Sequence, residues 1–80
     1  MTTSLKLYST SSCHLCESAA TMLADLASYD FSWQEVEIFD SELLMNQFGT
    51  RIPVLLNCDS GQELNWPFTS SNIIQLISRG

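Results

Sequence analysis

The apolar residues of this chain change their period at Cys13, and that change constrains the fold more than any other feature. Before it, apolar and polar side chains alternate from Leu5 to Tyr8, which is typical of a short strand. After it, apolar residues recur at helical spacing, at Leu15, Ala19, Met22, Leu23 and Leu26. The small polar residues at positions 9–12 form a turn between the two patterns. The sequence therefore predicts a strand, a tight turn and a helix that begins at Cys13 and ends near residues 28–30.

The middle of the chain predicts a second strand and a short helix. Aromatic and β-branched residues are frequent from Phe31 to Phe39, and glutamates alternate with apolar residues near the end of this stretch. We therefore expect a strand with one face toward solvent. Asp40 is the expected N-cap of the short helix, and Gly49 is expected to end it in the left-handed conformation.

The last part of the chain predicts a hairpin and a closing helix. The run from Val54 to Leu56 is short and apolar, as in a central strand, and Pro53 suits its start because proline has no N–H to donate. Turn-forming residues occupy positions 57–61, and residues 62–64 can form the second arm. The final helix is predicted to begin within residues 69–71. The fold class is therefore α/β, a mixed four-stranded sheet with helices on both faces, in the order β-α-β-α-β-β-α.

Size and composition indicate one small domain spanning residues 1–80. With 45% hydrophobic residues, the chain has enough apolar material for a core without disulfide staples. No apolar run approaches the roughly 18 residues of a membrane span, and the N-terminus lacks the pattern of a secretory signal. We therefore expect a soluble, cytoplasmic protein in a compartment that keeps its three cysteines as thiols.

Charge argues against two classes of partner. The formal net charge is −6, and Lys6, Arg51 and Arg79 are the only basic residues. Nucleic acids and anionic membranes both need clustered lysines and arginines, so neither is an expected partner. The acidic residues form no run, which suits a solvated surface or steering toward a basic partner.

The pair Cys13 and Cys16 lies where the first helix begins, with His14 and Leu15 between the cysteines. A thiolate at Cys13 could accept hydrogen bonds from the N–H groups of Leu15 and Cys16, which would lower its pKa. Cys16 is one turn further on and more buried, close enough to form a disulfide. We therefore predict that Cys13 attacks a substrate disulfide and that Cys16 resolves the mixed disulfide. His14 is expected to face solvent, where its protonated form stabilises the thiolate or has no role.

At this point the chain resembles the thioredoxin-fold superfamily, and within it the small glutaredoxin-like proteins. The resemblance rests on Cys13-His14-Leu15-Cys16 after the first strand, on Ile52-Pro53 at the start of the third, and on the order of elements. It implies a thiol–disulfide oxidoreductase with catalytic Cys13 and Cys16. It also implies a cis peptide bond before Pro53, beside the cysteines.

The resemblance further implies a substrate-binding surface around the cysteines, formed by His14, Leu15, Arg51, Ile52, Pro53 and Trp66. Ile52 would offer its backbone N–H and C=O to an extended substrate. Arg51 would be the basic side chain near the cysteines, there to raise thiolate occupancy or hold a carboxylate, or else an ordinary exposed arginine. Trp66 would form an apolar rim for a protein substrate, or else close the small core.

Glutathione is only a candidate co-substrate. Glutaredoxins often hold it through a basic residue shortly before the first cysteine and through a Gly-Gly-acidic stretch before the last helix. This chain has Thr10-Ser11-Ser12 and Asn65-Trp66-Pro67-Phe68 in those places. No cofactor is expected. The expected partners are a protein or small molecule that carries a disulfide, and a reductase or glutathione as electron donor.

Two alternatives stay open beside the enzyme. The chain could be a non-catalytic interaction domain that keeps the fold, or a dimer could share a metal ion or iron–sulfur cluster through Cys13. A zinc site within one chain is disfavoured because structural zinc needs four ligands and His14 is wedged between the two cysteines. Cys58 is expected to be a buried or inert small residue, or a satellite thiol open to glutathionylation.

Overall fold

The helices and strands follow one another in the order that the sequence predicts. A computed structural model describes residues 3–79, so the first two residues and the last residue of the predicted domain lie outside it. Its elements are β1 (Thr3–Ser9), α1 (His14–Asp25), β2 (Phe31–Glu37), α2 (Glu42–Phe48), β3 (Val54–Asn57), β4 (Glu63–Asn65) and α3 (Ser70–Arg79).

The strands form one mixed sheet in the order β2-β1-β3-β4. β1 and β2 run parallel, with Thr3 opposite Phe31 and Ser9 opposite Glu37. A parallel pair needs a crossover connection, and α1 provides it. β3 runs antiparallel to β1 and forms a hairpin with β4. The residues after Ser9 therefore leave the end of a central strand, and Cys13 lies on that connection to α1.

Helices cover both faces of the sheet, as predicted, because side chains alternate along each strand. Leu5 and Leu7 of β1 face α1 and α3, whereas Tyr8 faces α2, where its ring stacks on Phe48 at 4.2 Å between centroids. The larger cluster of buried residues consists of Leu5, Leu7, Ala19, Leu23, Leu26, Leu55, Phe68, Ile73 and Leu76. The smaller cluster consists of Tyr8, Ile38, Phe48 and Val54.

A buried amide joins the hairpin to the last helix. Asn57 is fully buried, and its side-chain N–H donates to the carbonyl oxygen of Leu76 at 3.0 Å. Its side-chain oxygen accepts the backbone N–H groups of Asp59 at 2.8 Å and Ser60 at 3.2 Å. One side chain therefore satisfies backbone groups on two elements, which fixes the turn after β3 against α3.

The first helix ends earlier than the sequence predicts. Its last residue is Asp25, not a residue within 28–30. The N–H of Leu26 donates to the carbonyl of Leu23, and that of Ala27 donates to Ala24, so both bonds span three residues instead of four. Such tight bonds are typical of the last turn of a helix.

The predicted ends of α2 are wrong in two details. Ser41, not Asp40, is the N-cap, and its hydroxyl accepts the N–H of Leu44 at 3.2 Å. Gly49 lies in the right-handed region at φ −53°, not in the left-handed one. Space explains this glycine, because a Cβ at this position would collide with the carbonyl oxygen of Met45.

The face of β2 that is predicted to be exposed to solvent is exposed only at one end of the strand. Phe31 and Trp33 lie on the same face as Glu35 and Glu37, and both aromatic side chains pack against the larger core cluster. Val36 packs against the smaller cluster on the opposite face. On the first face, Glu35 is therefore exposed and Glu37 is half-buried, and both lie at the end of the strand nearest the Cys13 connection.

Candidate active site

Cys13 caps the first helix with its own side chain. Its backbone is extended, at φ −108° and ψ 104°, and its sulfur accepts the backbone N–H of Cys16 at 3.2 Å. Its carbonyl oxygen accepts the N–H of Glu17 at 3.0 Å. Of the two N–H groups expected to point at this sulfur, the structure assigns the bond to Cys16 and not to Leu15. The sulfur therefore lies at the positive end of the helix dipole.

The two cysteines are joined as a disulfide across the first turn of α1. Their Cα atoms are 5.2 Å apart, within the range that a disulfide bridges. Cys13 is half-buried, whereas only 1% of Cys16 is exposed. An incoming group can therefore reach the sulfur of Cys13 more readily than that of Cys16. The structure holds the pair in the oxidised form, which the predicted closeness of the two cysteines allows.

The two residues between the cysteines both face solvent. The side chain of His14 is 98% exposed, and its Nδ1 lies 3.4 Å from a carboxylate oxygen of Glu17. Leu15 is 49% exposed, so its predicted place on the buried face of α1 is wrong. The buried stripe of the helix begins instead at Cys16 and continues through Ala19 and Leu23, which leaves Leu15 beside that stripe.

Ile52 and Pro53 lie at the same end of the sheet as the cysteines. Val54 pairs with Tyr8, so the residues just before β3 adjoin the end of β1. The Ile52–Pro53 peptide bond is cis, and Pro53 is fully buried. The backbone N–H of Ile52 donates to the carbonyl oxygen of Phe48 at 3.1 Å. The expectation that this N–H is free to pair with a substrate is therefore wrong, because the end of α2 already uses it.

Arg51 makes its contacts with α2 and β4. Its guanidinium donates to a carboxylate oxygen of Glu63 at 3.4 Å and to the side-chain oxygen of Asn65 at 3.3 Å, both on β4. Its Nε donates to the carbonyl of Gln47, and its charge lies 5.0 Å from the ring centre of Phe48. These contacts tie α2 to the edge strand. These contacts therefore support an ordinary structural role for Arg51.

Trp66 and Cys58 each had two predicted roles, and the structure favours one role for each residue. Trp66 is half-buried, meets Phe68 edge to face at 5.1 Å, and packs against the larger core cluster. Those contacts fit the core interpretation better than an open apolar rim. The bond that follows, Trp66–Pro67, is cis, which the sequence did not predict. Cys58 is exposed, so the expectation of a buried residue is wrong.

Comparison with known proteins identifies the family. A family model described as Glutaredoxin-like domain (DUF836) matches residues 4–78, nearly the whole chain. The chain belongs to the glutaredoxin-like domain family. No curated protein sequence matches it.

Solved structures share the fold of this chain. The X-ray structure of target protein XcR50 from X. campestris is 34% identical, covers 95% of this chain and 97% of that chain, and has a TM-score of 0.79. Protein Ne2328 from Nitrosomonas europaea is 26% identical, with coverages of 96% and 93% and a TM-score of 0.82. Thioredoxin 1 from Thermosipho africanus is 15% identical, with coverages of 95% and 91% and a TM-score of 0.72, and shows the thioredoxin fold.

Two glutamates of this glutaredoxin-like domain hold the connection that leads to Cys13, and the sequence analysis missed them. Glu35 accepts the hydroxyl of Ser9 at 2.7 Å. Glu37 accepts the backbone N–H of Ser11 at 3.1 Å through one oxygen and that of Phe39 at 3.0 Å through the other. They line a depression of about 350 Å³ together with Ser9, Thr10 and Ser11. Only the parallel register of β1 and β2 brings these residues together, so spacing within one strand gave no signal.

The hydrogen bonds to Glu37 favour its charged form. The backbone N–H of Phe39, followed by the side chain of Thr10, holds the pKa of Glu37 below its ordinary value. This carboxylate therefore stays ionised to a lower pH than a free glutamate does.

The described part of the glutaredoxin-like domain presents no ready-made metal site. Within residues 3–79, no group of three or more histidine, cysteine, aspartate and glutamate side chains could hold a metal ion. None of the helices in that range is long and apolar enough to cross a bilayer.

Proposed function

We propose that this glutaredoxin-like domain is a thiol–disulfide oxidoreductase in which Cys13 is the attacking thiolate and Cys16 the resolving thiol. The observation that carries the proposal is the asymmetry of the pair. One sulfur is half-buried at the amino end of α1, and the other is buried one turn behind it. A pair of this kind can form a bond with a substrate and then release it without a third thiol.

The proposed reaction begins with the reduced pair. The Cys13 thiolate attacks one sulfur of a substrate disulfide, so a Cys13–substrate bond forms, the substrate disulfide breaks, and the leaving thiolate takes a proton. The Cys16 thiolate then attacks Cys13 Sγ, which forms the Cys13–Cys16 disulfide and releases the second substrate thiol. Two electrons pass from the pair to the substrate. An external dithiol or two monothiols must then reduce the pair again.

Backbone groups supply the stabilisation that this thiolate needs. The N–H of Cys16 points at the Cys13 sulfur, and the helix dipole acts in the same direction. The proposal assigns no part in this stabilisation to Arg51, whose contacts are with α2 and β4. His14, the residue after Cys13, lies beside Glu17. A charged hydrogen bond contributes about 1.5–3 kcal/mol, enough to lower a thiol pKa without a cation.

We propose a polypeptide disulfide as the substrate class and the cytoplasm as the location. Leu15 offers an exposed apolar side chain next to the reactive sulfur, which suits a protein surface. His14, Pro53 and Trp66 stay proposed neighbours of that substrate. Any backbone pairing by Ile52 would have to use its carbonyl, since Phe48 accepts its N–H.

A reductase is the favoured electron donor, with glutathione as the alternative. The net charge of −6 disfavours an anionic tripeptide. The arginine that could have held a glutathione carboxylate is bound to Glu63 instead. No cofactor is needed for the exchange itself.

The test is to trap the mixed disulfide on Cys13. In a Cys58→Ser background, which removes the exposed third thiol, Cys16→Ser should form a stable adduct with a disulfide-bonded protein such as insulin. Mass spectrometry of the intact protein identifies the adduct. The matched control is Cys13→Ser in the same background, which leaves only the buried Cys16 and should form no adduct.

Absence of an adduct with insulin and with glutathione disulfide would overturn the enzyme proposal and leave a non-catalytic interaction domain. A dimer that shares a metal ion or cluster through Cys13 would be recognised by coloured or metal-containing protein that loses its metal in Cys13→Ser. Recycling assays with glutathione or with a thioredoxin-reductase-type enzyme then decide the electron donor.

A further inference from the structure

We propose that Glu37 is a positioning residue for the redox pair, and that its carboxylate holds the β1–α1 connection so that Cys13 caps α1. This inference rests on the proposed function. It concerns the same site, but assigns a role to a residue outside the CxxC motif and outside the cis-proline segment.

The carboxylate of Glu37 bridges two separate pieces of backbone. One oxygen accepts the N–H of Ser11, two residues before Cys13, and the other accepts the N–H of Phe39, just after β2. Both partners are donors, so both positions require an acceptor. A carboxylate meets this requirement with its two oxygens, whereas an amide would turn an NH₂ group toward one of the two donors.

The connection needs such an anchor because its backbone is unfavourable just before Cys13. Ser12 has φ 62°, in the left-handed region, although it is not glycine. A residue held there costs on the order of 1 kcal/mol and stays only where its surroundings impose the conformation. Ser11, the residue before Ser12, is hydrogen-bonded to Glu37, and Cys13 is the residue after Ser12. Without the bond from Ser11, the turn would relax and Cys13 would leave the end of the helix.

The charge of Glu37 and its role as an anchor predict opposite changes in the pKa of Cys13 when Glu37 is replaced. The ionisable groups around the connection are Glu35 on the same strand, and His14 and Glu17 on the first turn of α1. A negative charge near a thiol raises its pKa, so removing the charge of Glu37 would by itself lower the pKa of Cys13. Loss of the anchor would raise that pKa, because the sulfur would no longer face the Cys16 N–H. The sign of the change therefore separates the two roles.

The matched control lies two residues away on the same strand. Glu35→Gln removes an equal charge, but its remaining side-chain oxygen can still accept the Ser9 hydroxyl. Glu37→Gln removes the charge and leaves one backbone N–H facing an NH₂ group. Both variants therefore lose one negative charge, but only Glu37→Gln also loses a hydrogen bond to the backbone.

The experiment measures the rate at which iodoacetamide alkylates Cys13 across pH, in Cys16→Ser with Cys58→Ser. Glu37→Gln should slow alkylation at pH 6 by roughly three- to tenfold, as expected when a thiol pKa rises by up to about one unit. Glu35→Gln should leave the rate unchanged or increase it. If Glu37→Gln also leaves the rate unchanged or increases it, the positioning role is wrong.

A measurement on the unmodified chain covers the case in which the variant does not fold. By NMR, the amide signals of Ser11 and Phe39 should both shift with a single acid midpoint, that of the Glu37 carboxyl. A Ser11 amide that does not follow this titration would overturn the proposal. Both experiments read the state of Cys13 and its connection, not turnover. A chain that traps no substrate would therefore disprove the enzyme function and still give an independent answer about Glu37.

Discussion

Cys16 donates its backbone N–H to the sulfur of Cys13 over 3.2 Å. The residue proposed to resolve the mixed disulfide therefore also supplies, through its main chain, the hydrogen bond that stabilises the attacking thiolate. These two contributions of Cys16 can be separated, because one belongs to the side chain and the other to the backbone.

Two substitutions at position 16 should have different effects on Cys13. Cys16→Ser keeps the N–H and should leave the pH dependence of Cys13 alkylation close to that of the parent chain. Cys16→Pro removes the N–H, and proline is tolerated in the first turn of a helix. Loss of a charge-assisted bond of about 1.5–3 kcal/mol should slow alkylation of Cys13 near neutral pH by roughly tenfold. Equal rates in the two variants, with helicity checked by circular dichroism, would show that this N–H contributes nothing.

Arg51→Ala should reduce stability and leave the thiol chemistry unchanged. The variant loses a partly exposed ion pair and a cation–π contact, which together contribute about 1 kcal/mol. Urea unfolding measures that loss, and alkylation of Cys13 in the same variant should follow the parent curve. A clear fall in alkylation rate without a fall in stability would contradict the structural role of Arg51 and favour the prediction that it acts on the cysteines.

Asn57→Ala should be among the most destabilising single substitutions in the chain. It removes a buried amide and leaves the Leu76 carbonyl and two backbone N–H groups without their partner. We expect a loss of about 2–4 kcal/mol in the free energy of unfolding. Gln34→Ala, at an exposed position of β2, is the control and should change stability by less than about 0.5 kcal/mol. Similar values for the two variants would contradict the role given to Asn57.

Acid should remove the stabilisation that Glu37 provides. Its pKa is lower in the folded chain than in the unfolded one, so its contribution is complete above the unfolded pKa and disappears as the pH falls through the folded pKa. The stability difference between the parent chain and Glu37→Gln should therefore be largest near pH 7 and should shrink as the pH falls through the folded pKa of Glu37. Urea unfolding at several pH values gives this difference directly. A gap that stays constant with pH would mean that ionisation of Glu37 does not matter to folding.

Local patterns were sufficient for the fold and for the position of the cysteines. The change of period at Cys13 is a property of neighbouring residues, and it places the pair at the start of α1 without any knowledge of the sheet. The start of β3 after Pro53 was predicted from a local property as well, because proline has no N–H to donate. Family resemblance added the expected cis bond before this proline.

Contacts between segments that are distant in the chain could not be predicted from local patterns. Glu37 meets Ser11 only because β1 and β2 pair in one particular register. Arg51 reaches Glu63 and Asn65 of β4, which lie 12 and 14 residues further along the chain. Each of these depends on how elements pack, which the order of residues along one element does not contain.

The two edge strands of the sheet, β2 and β4, differ from each other. β4 is three residues long, so a neighbouring chain would find few N–H and C=O groups there to pair with. The opposite edge strand, β2, is longer but carries two negatively charged side chains at one end. These charges would repel the same strand of a second copy of the chain. Both edge strands therefore resist the edge-to-edge stacking of chains that leads to fibres.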